Sequence, residues 1–63
     1  MEVNTKMINY QTLRTMYQQW CNGNPDYAVR WVIFARMASK DQGVGFETMK
    51  QELKKCKWFS YKE

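Results

Sequence analysis

Two cysteines, Cys21 and Cys56, are the side chains of this 63-residue chain best suited to covalent or metal chemistry, because the chain contains no histidine. That composition excludes a zinc finger of the Cys/His type, and no motif of an activated nucleophile is present. Residues 43–45, Gly-Val-Gly, lack the spacing of a phosphate-binding loop and follow no predicted strand. We therefore predict that the protein is not an enzyme and has no catalytic residue, metal, cofactor or small-molecule substrate.

The two thiols fall on apolar faces of predicted helices, and the sequence shows no signal peptide. We expect buried free thiols in a reducing compartment, with a disulfide or a redox role as the alternative. The longest unbroken apolar run, residues 31–35, is far shorter than the roughly 20 residues that cross a bilayer. A cytoplasmic protein with no membrane segment is the expectation.

The element that must position the other side chains is the stretch from Asn24 to Lys40. Asn24 can cap a helix, Pro25 suits the first helical position, and Asp26 is favourable at the positive end of the helix dipole. These three signals predict a central helix over residues 25–41.

Apolar residues cover two sides of this central helix at about 100° per residue. The first arc consists of Tyr27, Ala28, Trp31, Val32, Phe34, Ala35 and Ala38. The second arc consists of Val29, Ile33 and Met37, and Arg30 and Arg36 separate the two. Two apolar arcs predict cover from two directions, either by other helices of this chain or by a second subunit.

Two further helices are predicted on either side. After an arm over residues 1–8, Asn9 offers a cap, and an apolar stripe with helical spacing predicts a first helix over residues 10–21, which Asn22 and a left-handed Gly23 end. Residues 41–45 break the central helix, and Phe46, Met49, Leu53 and Cys56 predict a third helix over residues 46–57. The expected fold is a single all-α domain of three helices, residues 1–63.

The tail, residues 58–63, does not continue the helical period. It either folds back over the central helix or exposes its aromatic rings to a partner. Because 63 residues are few to cover both arcs, we predict a protein interface, with another protein or with a second copy in a homodimer. Its residues are Val29, Ile33, Met37, Trp58, Phe59 and Tyr61. In the alternative, the first and third helices occupy the two arcs.

A formal charge of +4 also permits an anionic partner. The segment from Trp31 to Lys57 resembles a helix-turn-helix, which would use the third helix to contact DNA. The contacting residues would be Lys50, Gln51, Lys54 and Lys57. Glu52 stands where such motifs usually have an apolar residue, and Gly45 lengthens the turn. DNA binding is therefore the alternative to protein binding.

The whole chain is small, basic and aromatic-rich, has a helical pattern and carries no catalytic motif. In these respects it resembles the small accessory proteins in the early regions of lambdoid temperate phages. The resemblance implies a regulatory protein that modulates phage development or host factors through binding. It assigns no role to any single residue.

Overall fold

A computed structural model of the chain describes residues 8–62. The described part contains three helices and no strand: α1 is Tyr10–Gly23, α2 is Trp31–Gln42 and α3 is Phe46–Lys55. The predicted all-α, three-helix fold is confirmed. The predicted arm lies, except for the half-buried Ile8, outside the described residues.

The start of α1 follows the prediction, whereas its end does not. The side-chain oxygen of Asn9 accepts a hydrogen bond of 3.0 Å from the backbone N–H of Thr12, as a helix cap does. At the other end, Gly23 is still helical, two residues beyond the predicted end of the helix. The prediction of a left-handed Gly23 was wrong, because Asn24 satisfies the last carbonyls through its backbone N–H to Cys21 and its side-chain amide to Trp20.

The predicted start of the central helix was also wrong. Asn24 belongs to the end of α1, and residues 25–30 form a turn in which the N–H groups of Val29 and Arg30 both donate to the carbonyl of Asp26. Regular helix begins only at Trp31, because Arg30 has φ −92° and ψ 17°, away from helical values. The three start signals therefore introduce one turn, and α2 begins six residues later than residue 25.

The connection from α2 to α3 depends on one glycine. Gly43 has φ 67° and ψ 33°, the left-handed conformation that ends many helices. Its N–H and that of Val44 both donate to the carbonyl of Ser39, which satisfies the end of α2. The α3 helix starts directly after Gly45 and ends at Lys55, two residues before the predicted end.

The core lies where one face of α2 meets α1, α3 and the tail. Phe34 is fully buried, and its ring centroid is 5.1 Å from that of Tyr17 and 5.4 Å from that of Trp20, both on α1. On α2, the small side chains of Ala35 and Ala38 allow close packing with α3. The buried apolar residues are Leu13, Tyr17, Trp31, Phe34, Ala35, Ala38, Met49, Leu53 and Phe59.

The tail folds back, as the first of the two predicted alternatives requires. The backbone N–H of Lys62 donates to the carbonyl of Ala28, and the indole N–H of Trp31 donates to the carbonyl of Lys62, each at 2.9 Å. Closer to α3, the hydroxyl of Tyr17 both donates to the Ser60 carbonyl and accepts from the Ser60 N–H. These bonds hold Phe59 in the core.

Candidate protein interface

The outer face of α2 carries apolar side chains that residues 8–62 leave exposed. Ile33, in the first turn of α2, is 49% exposed, and Met37, in the middle of the helix, is 46% exposed. Val29, in the preceding turn, is 64% exposed. We call these three residues the α2 ridge. The alternative in which the first and third helices occupy both arcs is therefore wrong for α1 and α3 as residues 8–62 place them.

Helical geometry explains why the α2 ridge is open. Phe34 and Ala38 point roughly 100° to 140° away from Ile33 around the helix axis, and both are buried by α1 and α3. The tail packs on Trp31, which points about 160° away from Ile33. The first arc is thus largely covered, although Val32 is 37% exposed, and within residues 8–62 no segment covers the second arc.

A shallow groove of about 320 Å³ runs beside the ridge, between α1 and α2. Met37 is shared by the ridge and the groove, so the two form one continuous surface. The groove is lined by Met16, Gln19, Trp20, Phe34 and Met37. We did not predict Met16 and Trp20 as site residues, because both fit the apolar stripe assigned to the core. Both are in fact half-buried.

The three aromatic residues of the tail do not extend this surface. Phe59 was predicted at the interface, but this was wrong because it is buried among the rings of Tyr17, Trp31 and Phe34. Trp58 is half-buried against Tyr17, and Tyr61 lies 5.3 Å from Trp31, centroid to centroid. Because Trp31 and Ile33 point to opposite sides of α2, the six predicted interface residues do not form one patch.

The residues proposed to contact DNA have mixed surroundings. Lys50 lies 3.2 Å from the carboxylate of Glu47 and 4.8 Å from the ring centroid of Phe46. Lys54 lies 5.3 Å above Trp31 and 5.4 Å above Tyr61. Both ammonium groups therefore already have partners within the fold. The other two candidates, Gln51 and Lys57, are exposed.

Glu52 has a structural role that explains its departure from the helix-turn-helix pattern. Its carboxylate accepts a 2.7 Å hydrogen bond from the hydroxyl of Tyr10 and lies 3.3 Å from the ammonium of Lys55. The bond from Tyr10 is the main cause of the lowered pKa of Glu52, and it raises the pKa of Tyr10. Glu52 thus joins α3 to the first turn of α1.

Both cysteines are free and half-buried. The thiol of Cys56 donates to the carbonyl of Glu52 at 3.4 Å, and burial raises its pKa, which makes it a weak nucleophile. Cys21 lies on a second, open groove of about 520 Å³ between α1 and the tail, next to Tyr17 and Trp58.

In the described part of the chain, no three potential metal ligands come together. Within residues 8–62, no helix combines the length and apolarity that crossing a bilayer requires.

Comparison of the chain with known protein families, with curated proteins and with solved structures gave no match. The α2 ridge and its groove therefore have to be interpreted from their own chemistry, which is that of an apolar surface without a reactive group.

Proposed function

We propose that this protein is a non-catalytic regulatory protein of the cytoplasm that acts by binding another protein through the α2 ridge. The observation that carries the proposal is the exposure of Ile33 and Met37, two large apolar residues one turn apart on the same face of α2. Exposed apolar surface that continues into a groove is typical of protein interaction sites. A role like that of small phage accessory proteins, with a host factor as the partner, is part of the proposal.

The ridge suits binding because its side chains are aliphatic and one wall of its groove is aromatic. Burying an aliphatic side chain that is half exposed contributes about 1 kcal/mol, and an indole such as that of Trp20 is a frequent centre of binding energy. The main chain beneath the ridge is regular helix from Trp31 onward, so little order has to be gained on binding.

The test is capture of a partner from a bacterial lysate with the wild-type chain, with Ile33→Asp and with Gln51→Asp. Gln51 is exposed on α3, so its variant introduces the same charge away from the ridge. We expect wild type and Gln51→Asp to capture the same protein and Ile33→Asp to lose it, with all three equally helical by circular dichroism. Equal capture by all three would refute the proposal.

DNA binding through α3 is the second candidate function. The observation in its favour is the short connection between α2 and α3 together with the formal charge of +4. The pairing of Lys50 with Glu47 weighs against it, because that carboxylate repels phosphate. A gel-shift titration with duplex DNA at low salt tests it, with Lys57→Glu as the variant. Nuclease treatment of the lysate separates the two functions, since capture through DNA would disappear.

A further inference from the structure

Three exposed cations lie close to the α2 ridge. Arg36 and Lys40 follow Ile33 by one and two helical turns, which places them along the edge of the ridge nearer α3. Arg30 precedes the helix by one residue. Arg36 reaches over the ring of Phe46, at 4.8 Å from its centroid. Within residues 8–62, neither Arg30 nor Lys40 forms an ion pair.

The opposite wall of the groove contributes no negative charge. The α1 helix contains no acidic residue, and its single charged residue is Arg14. Gln19 is the polar residue of α1 that lines the groove. The α2 helix contains one acidic residue, Asp41 near its end, and two basic residues, Arg36 and Lys40. The apolar surface is therefore bordered by Arg36 and Lys40 on the edge nearer α3, and on the groove edge by the neutral amide of Gln19 and, at the end of α2, by Asp41.

We propose that the α2 ridge and its groove bind one amphipathic helix of another protein, whose apolar stripe has acidic residues along one edge. This inference rests on the proposed function and names the class of partner. A helix laid along the surface would place apolar residues at i, i+3 or i+4, and i+7 against Trp20, Ile33 and Met37. Its acidic edge would face Arg36 and Lys40.

A second copy of this chain fits the surface less well than an acidic helix. Two chains that met at this face would bring the same cations together, and each chain already carries +4. A stable dimer also needs about 800 Å² buried on each partner. The apolar surface here is smaller, because it consists of three ridge residues that are about half exposed and two groove residues, Met16 and Trp20, that are half-buried. A single helix needs only a narrow strip of that surface.

The experiment uses the full chain and two labelled synthetic peptides of about four helical turns, roughly 14 residues. The peptides share one leucine stripe and differ only at the edge positions, which are Glu in one and Lys in the other. Fluorescence anisotropy measures both affinities. We expect the Glu peptide to bind at least about tenfold more tightly at low salt, with the difference shrinking as salt screens the charges.

Two matched charge reversals test whether the contact is local. Lys40→Glu should weaken the Glu peptide several-fold and strengthen the Lys peptide. Lys57→Glu makes the same change in net charge beyond the end of α3 and should leave both affinities nearly unchanged. Ile33→Ser should abolish binding of both peptides while the circular dichroism spectrum stays that of the wild type.

Several results would overturn the proposed partner. Equal affinities for the two peptides, or equal effects of the two charge reversals, would show that no local acidic edge is recognised. A dimer in sedimentation that Ile33→Ser abolishes would show that a second copy of the chain occupies the α2 ridge. Contacts of Val3 or Met7 with Ile33 in the free chain would show that the chain's own N-terminal residues occupy it. If neither peptide binds but capture of a protein from the lysate still depends on Ile33, the acidic helix is not the partner, while the proposed protein-binding function remains supported.

Discussion

The two faces of α2 carry similar apolar side chains but have opposite surroundings. Phe34 and Ala38 are fully buried under α1 and α3, while Ile33 and Met37, on the same helix, are about half exposed. Apolar character alone therefore does not determine burial in this chain. With three short helices and a tail, the described part of the chain covers one side of its central helix and leaves the other exposed.

The largest expected difference between the two faces is in stability. Phe34→Ala removes a ring that contacts three other rings and should lower the free energy of unfolding by about 3–5 kcal/mol, enough to unfold a domain this small. Met37→Ala should cost less than about 1 kcal/mol, because half of its side chain already contacts water. Urea denaturation followed by circular dichroism measures both, and similar losses would mean that the two faces are equally buried.

The left-handed glycine gives the next largest effect, because it turns the chain so that α3 covers the inner face of α2. Gly43→Ala should lower the free energy of unfolding by about 1–2 kcal/mol, since alanine is strained at φ 67°. Gly45→Ala is the matched control: its φ is −59°, and an added methyl group would meet only the Thr48 hydroxyl, at 3.8 Å. A smaller loss from Gly43→Ala than from Gly45→Ala would contradict this description of the turn.

Alkaline pH should weaken the covered face through Tyr17. Burial raises the pKa of Tyr17 from its ordinary value of 10.0 to about 12, because the phenolate is disfavoured in the core. A raised folded-state pKa means that the contribution to stability is complete below pH 10 and is lost as the pH rises towards 12. The melting temperature should therefore be lower at pH 11 than at pH 9 in thermal unfolding experiments.

Tyr17→Phe is the variant that isolates this effect. It should be about 1–2 kcal/mol less stable at neutral pH, because the Ser60 carbonyl and N–H lose their side-chain partner. Its alkaline loss should be smaller than that of the wild type, with the raised pKa values of Tyr10 and Cys56 left as the remaining contributions. An unchanged alkaline loss would show that Tyr17 is not the titrating group.

Much of the helical fold could be predicted because its signals are local. The spacing of Leu13 and Tyr17, and of Met49 and Leu53, places each residue correctly on a buried face, and the cap at Asn9 is present. The start of α2 could not be predicted from local signals. The side chain of Asn24 can serve either neighbouring helix, and in the fold it donates to the end of α1.

The candidate site depends on contacts between distant parts of the sequence. The hydrogen bond from Lys62 to Ala28, which are far apart in the sequence, fixes the position of the tail. In this position Phe59 is buried and Tyr61 is kept away from the α2 ridge. The groove residues Met16 and Trp20 carry only a weak signal, an i, i+4 pair within the same apolar stripe as the buried Leu13 and Tyr17. Which arc of α2 stays open follows from how α1 and α3 dock, and periodicity does not encode that.

A matched pair of substitutions on α2 tests most directly that one face is covered and the other is open. Ile33→Asp and Ala38→Asp introduce the same carboxylate into the same helix on opposite sides. Thermal unfolding followed by circular dichroism should show a cooperative transition near that of the wild type for Ile33→Asp and no folded protein for Ala38→Asp, because a buried unpaired charge is strongly destabilising. Loss of folding in both variants would show that the ridge is part of the core and is not a binding surface.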